Sequence, residues 1–385
     1  MHAPDPAANL TIEQVEGKSA LDTFIRVPWL VFKDDPNWVP PLIIERRGHL
    51  NRKQNPYFEH AEVALWIAKR DGQAVGRISA QIDENYLAHH KDNTGQFGFL
   101  DAIDDVQVFN ALIKTAEDWL RERGIKRAVG PFSLSINDES GLLVEGFNTP
   151  PFVMMGHAFP YYQTHVERLG YQKAMDLFAY GYDPFKDLEP KVQKMLARIR
   201  RNPDVKVRIL DWARYESDIR VVLDIFNDAW SDNWGFVPFT ETELRHIAKE
   251  LKPLLRAEMV IIAEVKGIPS AMAVAFPNLN EAIADLNGAL LPFGWLKLLW
   301  RLKVSRIKSG RLALMGVKKQ FRNSMLGSGL GLTVIDQIRL NSQSLGITEG
   351  ELGWVLEGNP QMWRMIEAVG GTRDKVYRVY EKDLV

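Results

Sequence analysis

The chain has 385 residues and a formal net charge of −1 at pH 7, with 46% hydrophobic and 25% charged residues. Its length is large for one hydrophobic core and predicts two domains, while its composition is ordinary for a globular protein. The near-neutral charge gives no general attraction to nucleic acid, and the absence of cysteine excludes disulfides, cysteine nucleophiles and thiolate metal sites.

The sequence also bears on location and metal content. The N-terminus lacks a basic segment followed by an apolar one, and no apolar run reaches the roughly 18 to 20 residues that a membrane-spanning helix needs. The eight histidines show no ligand spacing typical of metal sites. We therefore expect a cytoplasmic protein without a bound metal.

The N-terminal half predicts a series of strands and helices. Residues 62–68 and 74–82 read as strands on either side of Asp71-Gly72, which is typical of a β-hairpin. The further elements follow in chain order: a strand at 96–100, a helix at 106–123, a strand at 126–130 and a helix at 161–169. The turn at 101–105, which leads into the first of these helices, holds three carboxylates and no glycine.

A basic segment joins the two halves. Residues 188–201 predict a helix that carries five cations, Lys191, Lys194, Arg198, Arg200 and Arg201. A solvated linker helix is the simplest interpretation of this charge pattern. The sequence thus predicts domains at 1–185 and 205–385, with a basic linker helix at 186–204.

The C-terminal half repeats the plan more clearly. It predicts a strand at 205–210, a helix at 218–230 and a hairpin of 259–265 with 270–276 around Lys266-Gly267. The remaining elements are a strand at 311–317, a helix from Leu332, a strand at 350–356, a helix at 361–369 after Asn359-Pro360 and a strand at 375–380.

A glycine-rich segment precedes the helix that begins at Leu332. Gly327-Ser-Gly-Leu-Gly331 follows the predicted strand 311–317. A helix that opens on glycines presents unpaired backbone N–H groups and the positive end of its dipole, so this segment predicts a pyrophosphate site. An ordinary turn between strand and helix is the alternative.

This ordered series resembles the GNAT superfamily of acyl-CoA-dependent acyltransferases. In that family two neighbouring strands splay apart, the pantetheine arm of CoA lies between them, and the loop after the first strand wraps the pyrophosphate. The resemblance implies an α/β (α+β mixed sheet) fold of two tandem GNAT-like domains, with a helical insertion in the second. The glycines come a few residues later than in the usual loop pattern.

The resemblance also implies where CoA binds. The co-substrate is expected to be acyl-CoA or acetyl-CoA, bound by the following residues: Val317, Phe321, Arg322, Gly327, Ser328, Gly329, Leu330, Gly331 and Asn359. In the N-terminal half, carboxylates at 101–105 suit a helix N-terminus but repel a diphosphate. We therefore expect a degenerate N-terminal domain and one acyl-CoA per chain.

An insertion at 278–310 stands where the family normally turns quickly. Within it, 291–308 predicts a helix with an apolar face of Trp295, Leu296, Leu298, Leu299, Trp300 and Leu302, opposed by Lys297, Arg301 and Lys308. A basic amphipathic helix with two tryptophans suits peripheral contact with a membrane, at its inner face, or a lipophilic substrate. A helix packed on the sheet or on a second subunit is the alternative.

The usual catalytic positions of the family are vacant. The strand 311–317 carries no carboxylate as base, and the helix 361–369 carries no tyrosine as acid. Either the amine arrives already deprotonated or another part of the chain supplies the base. We expect polar loops to supply these groups, with Glu139 and His157 as candidate bases. The expected acceptor pocket comprises Asn137, Glu145, Tyr161, Tyr162 and Trp234. Turn formation and hydrogen bonding in the core are alternative roles for such residues.

The whole chain resembles the tandem GNAT proteins of bacterial sphingolipid synthesis. That resemblance implies an N-acyltransferase that moves an acyl group from CoA to a primary amine, either a small molecule or a lipophilic long-chain base. Three alternatives stay open: acetylation of a small amine or amino acid, Fem-type aminoacyl transfer, and CoA binding without catalysis. The acyl length and the oligomeric state are also open.

Overall fold

The computed structural model describes residues 9–304 and 307–384, apart from the side chain of Leu251. The chain forms two compact units. Unit 1 contains the described residues up to Asp176, together with 283–290 and those from Val376 onward. Unit 2 contains 177–282 and the described residues of 291–375.

Unit 1 contains most of the N-terminal half. Its strands are β1 (Leu10–Gln14), β2 (Ala61–Arg70), β3 (Gln73–Asp83), β4 (Thr94–Ala102), β5 (Arg127–Gly130) and β6 (Leu142–Glu145). Its helices are α1 (Gly17–Val31), α2 (Ile43–His49), α3 (Glu84–His90), α4 (Val106–Glu122) and α5 (Tyr161–Arg168). Strands β1 to β4 pair antiparallel in sequence order, and β4 then pairs parallel with β5.

Unit 2 contains most of the C-terminal half. Its strands are β8 (Val205–Ile209), β9 (Val260–Val265), β10 (Ile268–Pro277), β11 (Ser309–Val317) and β12 (Glu349–Leu356). Its helices are α6 (Pro190–Arg200), α7 (Tyr215–Trp230), α8 (Glu241–Leu251), α10 (Gly294–Lys303), α11 (Met325–Leu345) and α12 (Pro360–Ala368). Strands β8 to β11 pair antiparallel in order, and β11 then pairs parallel with β12. Unit 2 therefore repeats the strand order of unit 1.

Three elements cross the division between the units. These are β7 (Gln172–Tyr182), α9 (Leu279–Ile283) and β13 (Thr372–Asp383). In unit 1 the end of β13 pairs antiparallel with β5 and β6. In unit 2 the end of β7 pairs antiparallel with β12. Each unit therefore receives its last strand from the half of the chain that forms the other unit.

The exchange of β7 and β13 bears on the predicted domain boundaries. The predicted division into domains at 1–185 and 205–385 gives each half of the chain its own last strand. This division remains a prediction. The predicted linker helix 186–204 contains α6, which packs inside unit 2 through Val192, Leu196 and Ile199. Only its outer face carries solvated cations.

Both predicted hairpins are confirmed. Arg70 pairs with Gln73 and Val265 pairs with Ile268, so each hairpin turns on two residues. All four turn residues have positive φ: Asp71 at 49°, Gly72 at 80°, Lys266 at 53° and Gly267 at 78°. Two consecutive positive φ values give the primed turn that matches the twist of the flanking strands, and Asp-Gly favours it.

In unit 1 the chain itself fills the space beyond the paired part of β4 and β5. These strands pair only from Thr94 to Gln96 with residues 127–129. Beyond them the Phe132 amide donates to the Phe97 carbonyl at 2.8 Å. Gln81 Nε2 donates to the carbonyls of Phe132 and Leu134 at 2.8 and 2.9 Å. The segment 132–134 is thereby held against β4.

Gly98→Ala should test this arrangement. A Cβ at Gly98 would lie 1.6 Å from the Phe132 carbonyl oxygen, so the backbone of 132–134 would have to move. Overpacking of this kind costs about 1–3 kcal/mol, and we expect a lower urea midpoint for unfolding. Gly48→Ala in α2 is the control, because its Cβ would meet open space. An unchanged urea midpoint for Gly98→Ala would contradict the close packing of 132–134 against β4.

Candidate active site

The strands β11 and β12 of unit 2 pair over a short stretch and then separate. Ser309 to Leu312 pair with Glu349 to Leu352, and no later pair joins these two strands within the described chain. The register of β11 against β10 skips Ala313, which places a β-bulge directly after the last pair. Beyond Leu312 and Leu352 the two strands therefore continue without pairing. We call the interval between 313–317 of β11 and 353–356 of β12 the slot, and its end at Leu312 and Leu352 the vertex.

A buried arginine holds the vertex of this slot. Arg311 Nε donates to the Gly353 carbonyl at 3.2 Å and lies 3.3 Å from Glu351 Oε1. Gly353 has a φ of 156°, and a Cβ there would lie 3.0 Å from the Phe178 carbonyl oxygen. A glycine is therefore required where β12 turns away from β11.

Glu351 is the most unusual ionisable group at the vertex. Its side chain is 2% exposed, and within residues 9–304 and 307–384 neither carboxylate oxygen has a hydrogen-bond partner. Burial raises the pKa of Glu351 to about 7, although Arg311 and Lys375 favour the charged form. Leu312 and Leu352 face the core under α11, so Arg311 and Glu351 project from the opposite face of the sheet.

Sequence reasoning did not identify Glu351. The family resemblance implies a base on β11, whereas this carboxylate lies on the neighbouring strand β12. A signal was present, because Glu351 stands within 350–356, a segment predicted to be a buried strand. A carboxylate in a buried strand is rare unless a partner or a function retains it.

Helix α7 and β12 place two tryptophans beside the slot. Trp230 Nε1 donates to the Met315 carbonyl at 2.9 Å, and its ring centroid lies 5.8 Å from that of Trp354. Gly316 allows α7 to approach β11, because a Cβ there would lie 3.0 Å from Ala229 Cβ. One strand of the slot is thus fixed against α7.

The glycine-rich segment is helical, which corrects the predicted loop. Helix α11 begins at Met325, so Gly327 to Gly331 lie inside its first two turns. Ser324 caps the helix, and its Oγ accepts from the Gly327 amide at 2.9 Å. The amides of Gly329 and Gly331 fall within the helical hydrogen-bond pattern, and the amides of Met325 and Leu326 are the ones left at the N-terminus.

The three glycines allow close packing. A Cβ at Gly327 would lie 2.1 Å from the Phe321 carbonyl oxygen, and one at Gly329 would lie 2.4 Å from Ile199 Cδ1 of α6. A Cβ at Gly331 would lie 3.0 Å from Met315 Cε and Met365 Sδ. Bulky changes at these positions therefore disturb helix packing, whatever their effect on a ligand.

The other predicted CoA residues surround the same helix end. Val317 ends β11, and Phe321 closes a short 3₁₀ turn before α11. Ser328 is half-buried and Leu330 is fully buried. Asn359 caps α12, where its Oδ1 accepts from the Met362 amide at 3.2 Å. Their role in CoA binding remains a prediction.

The loop before α11 is tied to α7 by ion pairs. Aspartates four residues apart share one side of α7 and its C-terminal extension. The contacts are Lys318 Nζ with Asp224 Oδ2 at 2.7 Å, the Lys319 amide with Asp228 Oδ2 at 2.6 Å, Lys319 Nζ with Asp232 Oδ1 at 2.5 Å, and Arg322 Nη1 with Asp232 Oδ2 at 3.0 Å. Arg322 also donates to the Ala229 carbonyl. Its guanidinium is thus engaged with α7.

Unit 1 has a different arrangement at the corresponding helix. Asp105 caps α4, and its Oδ1 accepts from the Gln107 and Val108 amides at 2.8 and 3.4 Å. Its other oxygen accepts from Arg70 at 2.6 Å. A carboxylate therefore occupies the helix end that is capped by the neutral Ser324 in unit 2.

The two predicted bases lie in unit 1 and have protein partners. Glu139 Oε1 accepts from Arg46 Nη1 at 3.0 Å. His157 Nε2 lies 2.7 Å from Asp35 Oδ2, and its ring packs against Phe32. The predicted catalytic role of Glu139 and His157 stays untested, but the CoA candidates lie in unit 2.

The predicted pocket residues are divided between the units. Tyr161 Oη donates to the Ala102 carbonyl at 2.8 Å, and the Ala102 amide donates to Tyr162 Oη at 3.2 Å. Burial raises the pKa of both phenols. Asn137 is half-buried, Glu145 is exposed, and Trp234 is a half-buried residue of unit 2. Their assignment to an acceptor pocket remains a prediction.

Helix α10 in the insertion turns apolar side chains toward solvent. Trp295, Leu296, Leu299 and Trp300 are 44%, 49%, 44% and 55% exposed. Lys297 and Lys303 are exposed on the same helix. Ser305 and Arg306 of the predicted segment 291–308 lie outside the described residues.

The inner side of α10 differs from the sequence prediction. Leu298 and Leu302, predicted on the apolar face, are half-buried together with Arg301. Arg301 Nη1 donates to the Ala282 carbonyl at 2.7 Å. Arg301 therefore anchors the helix. The exposed face carries apolar side chains and lysines together, whereas the sequence predicted an apolar face opposed by a basic one.

Solved structures share this tandem architecture. A tandem GNAT protein from the clavulanic acid biosynthesis pathway aligns over 98% of this chain and 99% of its own, with a TM-score of 0.57 and 11% identity. A GCN5-related glucosamine N-acetyltransferase region of a fungal multi-domain β-N-acetylglucosaminidase aligns over 99% of this chain and 38% of that chain, with a TM-score of 0.56 and 14% identity. The fold is thus a tandem GNAT fold.

Two curated relatives span almost the whole chain. The bacterial ceramide synthase of Caulobacter vibrioides is 49% identical over 380 residues, which are 98% of each chain. Protein YghO of Escherichia coli is 46% identical over 369 residues, or 95% of this chain and 94% of the relative. No protein-family model matches the chain. The chain belongs to the bacterial ceramide synthase family of tandem GNAT acyltransferases.

Across residues 9–304 and 307–384, no helix combines the length and apolar character that would let it cross a bilayer.

Glu351→Gln should change how stability depends on pH. The folded chain holds the Glu351 proton more tightly than the unfolded chain, because the pKa rises from 4.5 to about 7. This stabilisation is complete below the unfolded pKa and is lost as pH rises through the folded one. From about pH 5 to about pH 8, the wild type should lose on the order of 2–3 kcal/mol more than the variant in urea unfolding.

The matched control is Glu349→Gln. Glu349 is exposed on the same strand, two residues earlier. This variant should follow the wild-type dependence on pH. The pKa assignment would be contradicted if Glu351→Gln did the same.

Proposed function

We propose that this acyltransferase uses acyl-CoA as donor and transfers the acyl group to the primary amine of a lipophilic, long-chain acceptor. The observation that carries the proposal is the slot between β11 and β12, since the corresponding space in unit 1 is filled by 132–134. The name of the Caulobacter vibrioides relative supports a long-chain amine as acceptor. One acyl-CoA would bind per chain, in unit 2.

The slot would receive the pantetheine arm. Strands that have separated leave backbone N–H and C=O groups without a ladder partner, and the amides of pantetheine can replace that partner. The thioester would then lie near the vertex, beside Arg311 and Glu351. The phosphates would lie at the N-terminus of α11, where the amides of Met325 and Leu326 and the helix dipole favour an anion.

The cations before α11 have a role in this proposal. Lys318, Lys319 and Arg322 are bound to aspartates on α7 and its C-terminal extension. The cations are half-buried but their aspartate partners are largely exposed, so these ion pairs contribute modestly to stability and a diphosphate can compete for the cations. Arg322 would then turn from Asp232 toward the phosphates.

The lipophilic acceptor is supported by α10. A helix with tryptophans and leucines toward solvent, and lysines among them, suits shallow insertion between lipid headgroups. We place the protein in the cytoplasm, at the inner face of a membrane. A membrane position would let a long-chain amine reach the enzyme without crossing water.

Ser324→Asp should weaken CoA binding without loss of the helix cap. Aspartate caps a helix as well as serine does, but it would place a negative charge beside the proposed phosphate site, as Asp105 does in unit 1. We expect palmitoyl-CoA to bind at least about tenfold more weakly, or about 1.4 kcal/mol, in isothermal titration calorimetry.

The control for this prediction is Ser324→Asn, which also caps the helix but carries no charge. It should bind palmitoyl-CoA with nearly wild-type affinity. Equal affinity of the aspartate variant and wild type would place the phosphates elsewhere.

Trp295→Ser combined with Trp300→Ser should reduce membrane binding. The wild type should sediment with anionic phosphatidylglycerol vesicles, and less so in high salt, because the lysines of α10 add up to about 1 kcal/mol each near anionic lipid. The double variant should remain in the supernatant with unchanged affinity for palmitoyl-CoA.

Ile268→Ser is the matched control, since Ile268 is 57% exposed on β10, away from α10 in sequence. It should sediment like the wild type. A wild type that ignores vesicles would contradict the membrane proposal and would favour acetylation of a small, water-soluble amine.

A further inference from the structure

We propose that Glu351 is the catalytic base of the transfer, and that its carboxylate accepts the proton of the acceptor ammonium at the vertex of the slot. This inference rests on the proposed N-acyltransferase function and deepens it. It assigns the proton transfer to β12, because β11 carries no carboxylate.

The position of Glu351 is the first support. It stands one residue before Leu352, the last residue of β12 that pairs with β11. The slot that would hold the thioester begins immediately afterwards. The Glu351 side chain, on the face of the sheet opposite to α11, therefore lies at the end of the slot where the acceptor amine would meet the thioester carbonyl carbon.

The unpaired oxygens of Glu351 are the second support. A buried carboxylate without hydrogen bonds is costly, and neighbouring residues normally satisfy such oxygens. Arg311 contributes charge at 3.3 Å, but its Nε hydrogen bond goes to the Gly353 carbonyl. The Glu351 carboxylate can thus accept a hydrogen bond from a group other than the described residues, such as the ammonium of the acceptor.

The surrounding charges suit a base that works near neutral pH. Arg311 of β11 and Lys375 of β13 favour the carboxylate, whereas burial and Asp374 of β13 favour the protonated acid. The balance lets Glu351 both take a proton and release it. Arg311 acts as a positioning residue, since it holds β12 through Gly353 and faces Glu351.

The proposed step balances in atoms and charge. The acceptor enters as R–NH₃⁺ and transfers one proton to Glu351. The nitrogen lone pair then forms a bond to the thioester carbonyl carbon, and the C–S bond breaks. The second proton leaves the nitrogen for the CoA thiolate, which departs as the free thiol, and Glu351 releases its proton to solvent.

The test compares wild type, Glu351→Gln and Glu349→Gln with palmitoyl-CoA and sphinganine. We expect Glu351→Gln to lower kcat by about a hundredfold or more while palmitoyl-CoA affinity stays within about twofold. Glu349→Gln should retain wild-type turnover. The rate of sphinganine acylation by the wild type should rise with pH through neutrality. This rise should be absent in Glu351→Gln.

A second acceptor separates catalysis from structure. A long-chain O-alkylhydroxylamine is neutral at pH 7 and needs no base for its first proton. Glu351→Gln should acylate it at a rate close to wild type, whereas a distorted slot would impair both acceptors. Glu351→Asp, which keeps the carboxylate, should retain part of the activity toward sphinganine.

The outcomes distinguish this inference from the proposed function. If the wild type acylates sphinganine and Glu351→Gln does so equally well, the assignment of Glu351 is overturned and the function stands. If Glu351→Gln loses both acceptors equally, Glu351 has a structural role and the assignment is again overturned. If the wild type acylates no amine, the proposed function fails and the inference fails with it.

Discussion

The separation of β11 from β12 is the constraint on which the proposed site depends. Parallel strands normally continue their ladder, and interrupting it leaves backbone groups without partners. Three local features permit the interruption: the bulge at Ala313, the glycine at 353 and the contact of Arg311 with the Gly353 carbonyl. Because Arg311 and Glu351 sit where the strands part, the same geometry brings an ionisable pair to the proposed position of the thioester.

Unit 1 has the same strand order as unit 2 but different local contacts at the corresponding positions. Its β4 and β5 also pair over a few residues, but 132–134 then supplies the missing hydrogen bonds from within the chain. The helix that follows is capped by the anionic Asp105 instead of the neutral Ser324. A filled gap would exclude a pantetheine arm, and a negative helix end would repel a diphosphate. Both differences concern local contacts and leave the architecture unchanged.

Helix α10 is oriented opposite to the usual amphipathic helix, because much of its apolar surface faces solvent and not the protein core. An amphipathic helix of a globular protein normally buries its leucines and tryptophans, yet here Arg301 and two half-buried leucines face the protein, while both tryptophans and two other leucines face out. The apolar surface left in water by Trp295, Leu296, Leu299 and Trp300 is unfavourable until something covers it. In the proposed membrane position, a lipid surface would cover it while Arg301 keeps its contact with the Ala282 carbonyl.

Some features followed from local sequence alone. Asp71-Gly72 and Lys266-Gly267 specified two-residue hairpins, because such residue pairs adopt consecutive positive φ values at little cost in free energy. Asn359-Pro360 marked the start of α12, since an asparagine cap and a proline in the first turn suit a helix N-terminus. Most strands and helices of the C-terminal half, and the contrast between carboxylates at 101–105 and glycines at 327–331, were also readable.

Tertiary structure decided the rest, because it depends on residues distant in sequence. Gly327 to Gly331 extend α11 since Ser324 caps it and Ile199, Met315 and Met365 require small neighbours. Local propensity alone favoured a glycine loop there. Strands β7 and β13 exchange partners through long-range pairing that no local pattern encodes. The surroundings of Glu351 likewise come from residues distant in sequence, among them Arg311 of β11 and Lys375 of β13. Sequence alone therefore determined the fold class, while packing determined which carboxylate stands where β11 and β12 stop pairing.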